Sequence, residues 1–198
     1  LAEQRRQRKV LLAKLEGQMA SQRAERERMT RDEAQLSALI EGLGEQLEKL
    51  KTDQSHANAI REDVLSKLPH GEGLKRGIAK PVNGPILARF GSNRPEGGAW
   101  RGVLVGADTG TPVRAVAAGT VIYATWLRGF GNLLIVDHSD EFVTVYAHNE
   151  ALLSGVGDSV RAGDIIAEAG NTGGQLDSAL YFEIRHRGVP LDPQLYFK

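Results

Sequence analysis

Residues 110–148 read GTPVRAVAAGTVIYATWLRGFGNLLIVDHSDEFVTVYAH, and their pattern decides the fold. Short runs of Val, Ile, Leu, Thr and Tyr alternate with small or polar residues and are punctuated by Gly, Asp and Ser, as consecutive strands joined by tight turns require. Strands are predicted at 113–116, 119–125, 132–137 and 142–148, with turns at 108–111, 118–119, 128–131 and 139–141. Outward from this block the same alternation predicts strands at 102–105 and 179–185. No run of helical period competes, so residues 81–198 are read as one compact, mostly antiparallel β domain.

Residues 1–68 have a different character, which makes the whole chain α+β. This stretch is rich in Ala, Glu, Gln, Arg, Lys and Leu, whereas every proline and most glycines lie beyond it. A heptad seam runs through Leu15, Gln22, Met29, Leu36, Leu43 and Leu50 on one register and Leu12, Met19, Arg26, Glu33, Ile40 and Leu47 on the other. That three-four spacing predicts a long coiled-coil arm. The seam is polar in the middle, and Gly42 and Gly44 each cost about 1 kcal/mol of helix stability relative to Ala, so a bend is expected there. Helicity is expected to fade by Pro69, since the residue before a proline is biased out of the helical region. Residues 69–80 are then a linker.

Charge and composition exclude several classes. The 25 Lys and Arg balance the 25 Asp and Glu, and acids interleave with the arginines of the arm, so no single-sign block tracks a phosphate backbone and no nucleic acid is expected. Without cysteine the chain has no disulfide, thiolate metal site or thiol nucleophile. No apolar run approaches the roughly 20 residues of a membrane span, so no transmembrane segment is expected. The chain begins at Leu1, and it is read as a fragment whose targeting signal lies elsewhere.

From residue 89 onward the blocks GTPVRAVAAGTVIYA, GFGNLLIVDH, TVYAH, GDSVRAGDIIAEAGNTGG and LYFEIRHRGVPLDP resemble, in order and spacing, the LytM or lysostaphin-like metallopeptidase family. The resemblance implies a zinc site built from a His and an Asp in an H-x-G-x-D block and the second His of an H-x-H-F-E block. Here the first block is Trp100-Arg101-Gly102-Val103-Leu104, and the second is Ala179-Leu180-Tyr181-Phe182-Glu183. Trp100, Leu104 and Tyr181 therefore stand at the ligand positions, and Ala179 replaces the His that opens the second block. Only His148, in the Tyr-Ala-His block, is kept. Zinc activation of water needs about three N, O or S ligands, so neither a metal, a cofactor nor a catalytic residue is expected.

Period-two alternation assigns Leu180, Phe182 and Ile184 to the core and Ala179, Tyr181, Glu183 and Arg185 to the old cleft. On the strand at 142–148 it assigns Val143, Val145 and Ala147 to the core and Thr144, Tyr146 and His148 to the cleft. The expected groove thus carries Trp100, Leu104, Tyr146, His148, Ala179 and Tyr181, with Arg101 and Arg185 as rim charges. Large apolar and aromatic replacements suit an amphipathic helix laid in a groove.

A helical arm followed by a ligand-free LytM domain resembles the murein hydrolase activators of Gram-negative bacteria. That resemblance implies a periplasmic, non-catalytic protein that binds N-acetylmuramoyl-L-alanine amidases through the degenerate cleft and stimulates septal peptidoglycan splitting in cell division. It also implies that the coiled coil docks on the FtsE/FtsX complex, and that a helix before the domain, sought at residues 36–68, covers the cleft until released. The alternative is a peptidoglycan-binding module that activates no amidase.

Overall fold

The computed structural model describes residues 2–57, 73–94 and 97–198. Helix α1 (Ala2–Ala57) is followed by strands β1 (Ile86–Ala88), β2 (Val103–Gly106), β3 (Pro112–Arg114), β4 (Gly119–Leu127), β5 (Gly131–Asp137), β6 (Phe142–Leu152), β7 (Ser159–Val160), β8 (Ile165–Ala169), β9 (Ala179–His186) and β10 (Val189–Leu191). A short 3-10 turn (Pro193–Leu195) closes the chain, capped by the Asp192 carboxylate accepting from the Gln194 amide. The strands form an antiparallel sheet in the order β1-β2-β9-β6-β5-β4-β7, with β10 on β9 and β8 bridging β6 to β3.

The sheet is buried on both faces. One face carries Val103, Val105, Leu134, Val136, Tyr146, Leu180, Phe182 and Ile184, closed over by β3, β8 and the C-terminal turn. Leu74 is buried in that same core, and Ile78 bridges to Phe197. The end of the stretch read as a linker is therefore packed on the domain. The other face carries Leu104, Leu133, Ile135, Val145, Ala147, Ala179 and Tyr181, and α1 lies across it.

Helix-forming residues and the absence of proline sustain α1 over 56 residues, a length of about 84 Å at 1.5 Å per residue. It runs unbroken through Gly42 and Gly44, contrary to the expected bend. Both glycines face open space, while their neighbours Leu39, Ile40, Leu43 and Leu47 pack on the sheet. Full burial of an aliphatic side chain is worth about 1.5–3 kcal/mol, which exceeds the cost of a helical glycine.

The second half of the heptad seam therefore meets a sheet inside this chain. Leu36 and Ile40 are buried, with Leu43 and Leu47 beside them. In the first half Leu12, Leu15 and Met19 are exposed. The expected loss of helix near Pro69 lies outside the described residues.

Candidate binding groove

The strands β2 and β9 run antiparallel in a register that sets Leu104 opposite Tyr181. Alternation then sends Leu104, Ala179 and Tyr181 to the α1 side of the sheet. Trp100, in the segment leading into β2, places its ring 6.0 Å from that of Tyr181, and Phe130 approaches the same ring at 5.9 Å. His148 meets the same ring edge-on at 6.2 Å. Trp100, Leu104, His148, Ala179 and Tyr181 are thus brought together.

Tyr146 is not among them. It is fully buried in the core on the other face, against Phe182 at 5.2 Å. Its hydroxyl accepts from the Val116 amide at 3.1 Å, and burial pushes its pKa up to about 12. The Thr144 hydroxyl links it to His138, whose ring nitrogens reach Thr144 Oγ1 and the Ala118 carbonyl, both at 2.7 Å. Val145 and Ala147 face α1 instead.

Simple alternation puts Tyr146 and His148 on one side, and the backbone separates them. His148 has φ 65°, and the β6 register shifts across it and again just beyond it. The resulting bulge turns its side chain toward Tyr181. Asn149 pins the bulge by donating to the carbonyls of Asn132 and Tyr146, and His148 Nδ1 lies 2.8 Å from the Thr172 carbonyl. Because a carbonyl only accepts, the neutral ring carries its proton on Nδ1.

Arg185 is likewise not a rim charge. It is 1% exposed, and its Nε donates to Glu183 Oε1 at 2.6 Å, while the Tyr181 hydroxyl donates to Glu183 Oε2 at 2.8 Å. Burial raises the Glu183 pKa, opposed by the Arg185 charge and the Tyr181 hydrogen bond; burial first, then Glu183, raises that of Tyr181. Alternation gave the correct face for Arg185 and could not reveal the cover: α1 seals it, with Arg185 Nη1 donating to Ser37 Oγ at 3.1 Å. Arg101 is the true rim residue, exposed and paired to Glu33 at 2.8 Å.

Several contributors escaped the sequence reading. Arg94 stacks over Trp100 at 4.2 Å and reaches Glu33 at 3.1 Å, and Arg128 reaches Asp32 at 3.4 Å. Nothing in their spacing marks these loop arginines. Leu133 and Ile135 were signalled by the Leu-Leu-Ile-Val run of β5, since a strand apolar on both sides implies a sheet covered on both. An open cavity of about 1010 Å³ remains beside α1, between Trp100, Trp126, His148 and Leu176.

The residues present do not fit a zinc ion. At the three positions where the family resemblance implies ligands stand an indole, an isobutyl group and a phenol already committed to Glu183. Among the described residues no group of three or more His, Cys, Asp or Glu could hold a metal. None of the described helices is long and apolar enough to cross a membrane.

Residues 98–193 match the sequence profile of Peptidase family M23. The chain carries an M23, LytM-like domain, in agreement with its antiparallel sheet. It is 42% identical over 134 residues to the murein hydrolase activator EnvC of Escherichia coli, covering 67% of this chain and 32% of that protein. It is also 42% identical over 121 residues to the lipoprotein NlpD/LppB homolog of Pseudomonas aeruginosa, covering 61% of this chain and 39% of that protein. The chain thus spans about a third of the length of these curated relatives. Among solved structures, a zinc containing peptidase from Vibrio cholerae superposes with a TM-score of 0.56 at 28% identity, over 60% of this chain and 39% of that one.

Proposed function

We propose that this protein is a non-catalytic activator of N-acetylmuramoyl-L-alanine amidases in peptidoglycan splitting during cell division, and that it works in the periplasm. The observation that carries this reading is the apolar, aromatic chemistry at the three positions where the family resemblance implies metal ligands. Trp100, Leu104 and Tyr181 are poor ligands and good anchors, and they floor a groove in which an amphipathic helix already lies. The similarity to proteins named murein hydrolase activators supports it, as does the envelope setting implied by lipoprotein relatives.

On this reading α1 is a cover. Residues 29–47 occupy the surface that an amidase helix requires, so activation calls for α1 to lift. The exposed Leu12, Leu15 and Met19 supply a separate helical surface, which we assign to docking on an FtsE/FtsX-type complex. Residues 1–68 then form the regulatory arm, and the domain proper begins with the segment that buries Leu74.

Dye release from labelled peptidoglycan by an added amidase tests the reading. The full chain carrying Leu36→Asp and Ile40→Asp is expected to stimulate release more than the parent, and adding Leu104→Asp is expected to abolish that stimulation. Equal stimulation with and without Leu104→Asp excludes the groove. Sedimentation of the opened chain with purified cell wall, without amidase, isolates a peptidoglycan-binding role.

A further inference from the structure

The polar contacts between α1 and the domain form a pattern that the apolar floor alone does not require. Asp32 and Glu33 are adjacent, so they project about 100° apart around the helix axis, and each addresses a different lip. Asp32 reaches Arg128 in the β4–β5 turn, while Glu33 is shared by Arg94 and Arg101 in the segment before β2. The first apolar anchor, Leu36, follows Asp32 by four residues, and Ile40 follows by four more. One lip-to-lip clamp and two anchors fix both the position and the direction of the helix.

The clamp also discriminates. The Arg94 side chain is 8% exposed and lies over Trp100, so a helix without an acid at this point would cover a guanidinium left without a counter-charge. Burying an uncompensated charge is strongly unfavourable. Moreover, Arg94 Nε has no hydrogen-bond partner among the described residues. The contact with Glu33 leaves one donor of a buried fork unfilled, and a carboxylate taking Nε and Nη side by side would hold more strongly.

We propose that the partner segment that takes this groove is an amphipathic helix with two adjacent carboxylates, the first placed four residues ahead of two apolar anchors that are themselves four apart. This rests on the reading of the groove as a partner site and names the chemistry that the partner must bring. The rim arginines are the selective element, because apolar anchors alone fit any amphipathic helix. The partner displaces α1 by offering the same charges, and it gains where its carboxylate also fills Arg94 Nε.

Two measurements on the full chain opened by Leu36→Asp and Ile40→Asp test this. A fluorescein-labelled synthetic peptide of residues 25–47 stands in for the partner helix, beside the same peptide carrying Asp32→Asn and Glu33→Gln. The acidic peptide is expected to bind about tenfold more tightly at low salt, with the difference lost in an opened chain that also carries Arg94→Ala, Arg101→Ala and Arg128→Ala. An amidase titrated against the same pair of chains is expected to lose affinity, and most of its salt dependence, with the arginines. Equal binding of the two peptides, or amidase binding indifferent to the arginines, overturns the carboxylate pattern. Amidase that binds neither chain overturns the groove reading itself, whatever the peptides do.

Discussion

Arg185 and Ser37 are 148 positions apart in sequence, yet the guanidinium donates to the hydroxyl across 3.1 Å. That contact joins the end of β9 to the middle of α1. Beneath it Arg185 is paired with Glu183, which in turn holds the Tyr181 hydroxyl. The helix is thereby coupled to the site it covers, and changes on either side are expected to be felt on the other.

Ser37→Asp is expected to tighten the cover. A carboxylate there faces both Arg185 and Arg101, and charge-assisted hydrogen bonds are roughly twice as strong as neutral ones. Amide hydrogen exchange in residues 29–47 should slow, and amidase stimulation should fall below that of the parent. Faster exchange would show that the hydroxyl is not a latch point.

Tyr181→Phe separates packing from polarity. The ring contacts with Trp100, Phe130 and His148 survive, while Glu183 loses a donor that it meets in a fully buried setting. Leaving a buried acceptor unsatisfied costs about 1–3 kcal/mol. Chemical denaturation should register that loss, and a variant as stable as the parent would contradict the hydrogen-bonded arrangement.

Acid should weaken the fold through two histidines. Burial is the largest cause holding His138 and His148 below the ordinary value of 6.5, with the Arg94 charge adding to the effect at His148. The unfolded chain takes up these protons near 6.5 and the folded chain only at lower pH, so stability is full above 6.5. It falls as the pH drops from there toward the folded-state values. Thermal melts at pH 7.5 and pH 5.5 should show a lower midpoint at the acid value, and a flat profile would count against both burials.

Gly131→Ala should be among the costliest single-methyl additions. Gly131 has φ 67°, and a Cβ there would fall 2.2 Å from Thr172 Oγ1. A residue forced into that region costs about 1–3 kcal/mol before any clash. The same Thr172 carries the carbonyl that orients His148, so loss of stability should be accompanied by altered His148 chemical shifts. Unchanged melting would contradict the close approach.

The strands quoted first were legible because a period of two survives wherever one side of the sheet packs differently from the other. Strands β4, β5, β6 and β9 lie where that period predicts, while β1 and β7, of three and two residues, are too short to show one. At the site the limits were physical. Alternation carries no information about a residue such as His148, whose positive φ breaks the period. Nor does it tell an open face from a covered one, which is why Arg185 reads as a rim charge when it lies under α1. The departure from the family's pattern was plain, because Trp100, Leu104 and Tyr181 differ in chemistry from the His and Asp that the resemblance implies at those positions.

A groove that serves a partner, and for which α1 competes, should bind that partner better once α1 is lifted. Titrating an amidase against the parent chain and against the chain carrying Leu36→Asp and Ile40→Asp tests it most directly. Each replaced side chain contributes about 1.5–3 kcal/mol by its burial, so lifting both is predicted to tighten amidase binding by at least tenfold. Equal or weaker binding to a folded, opened chain would contradict the account.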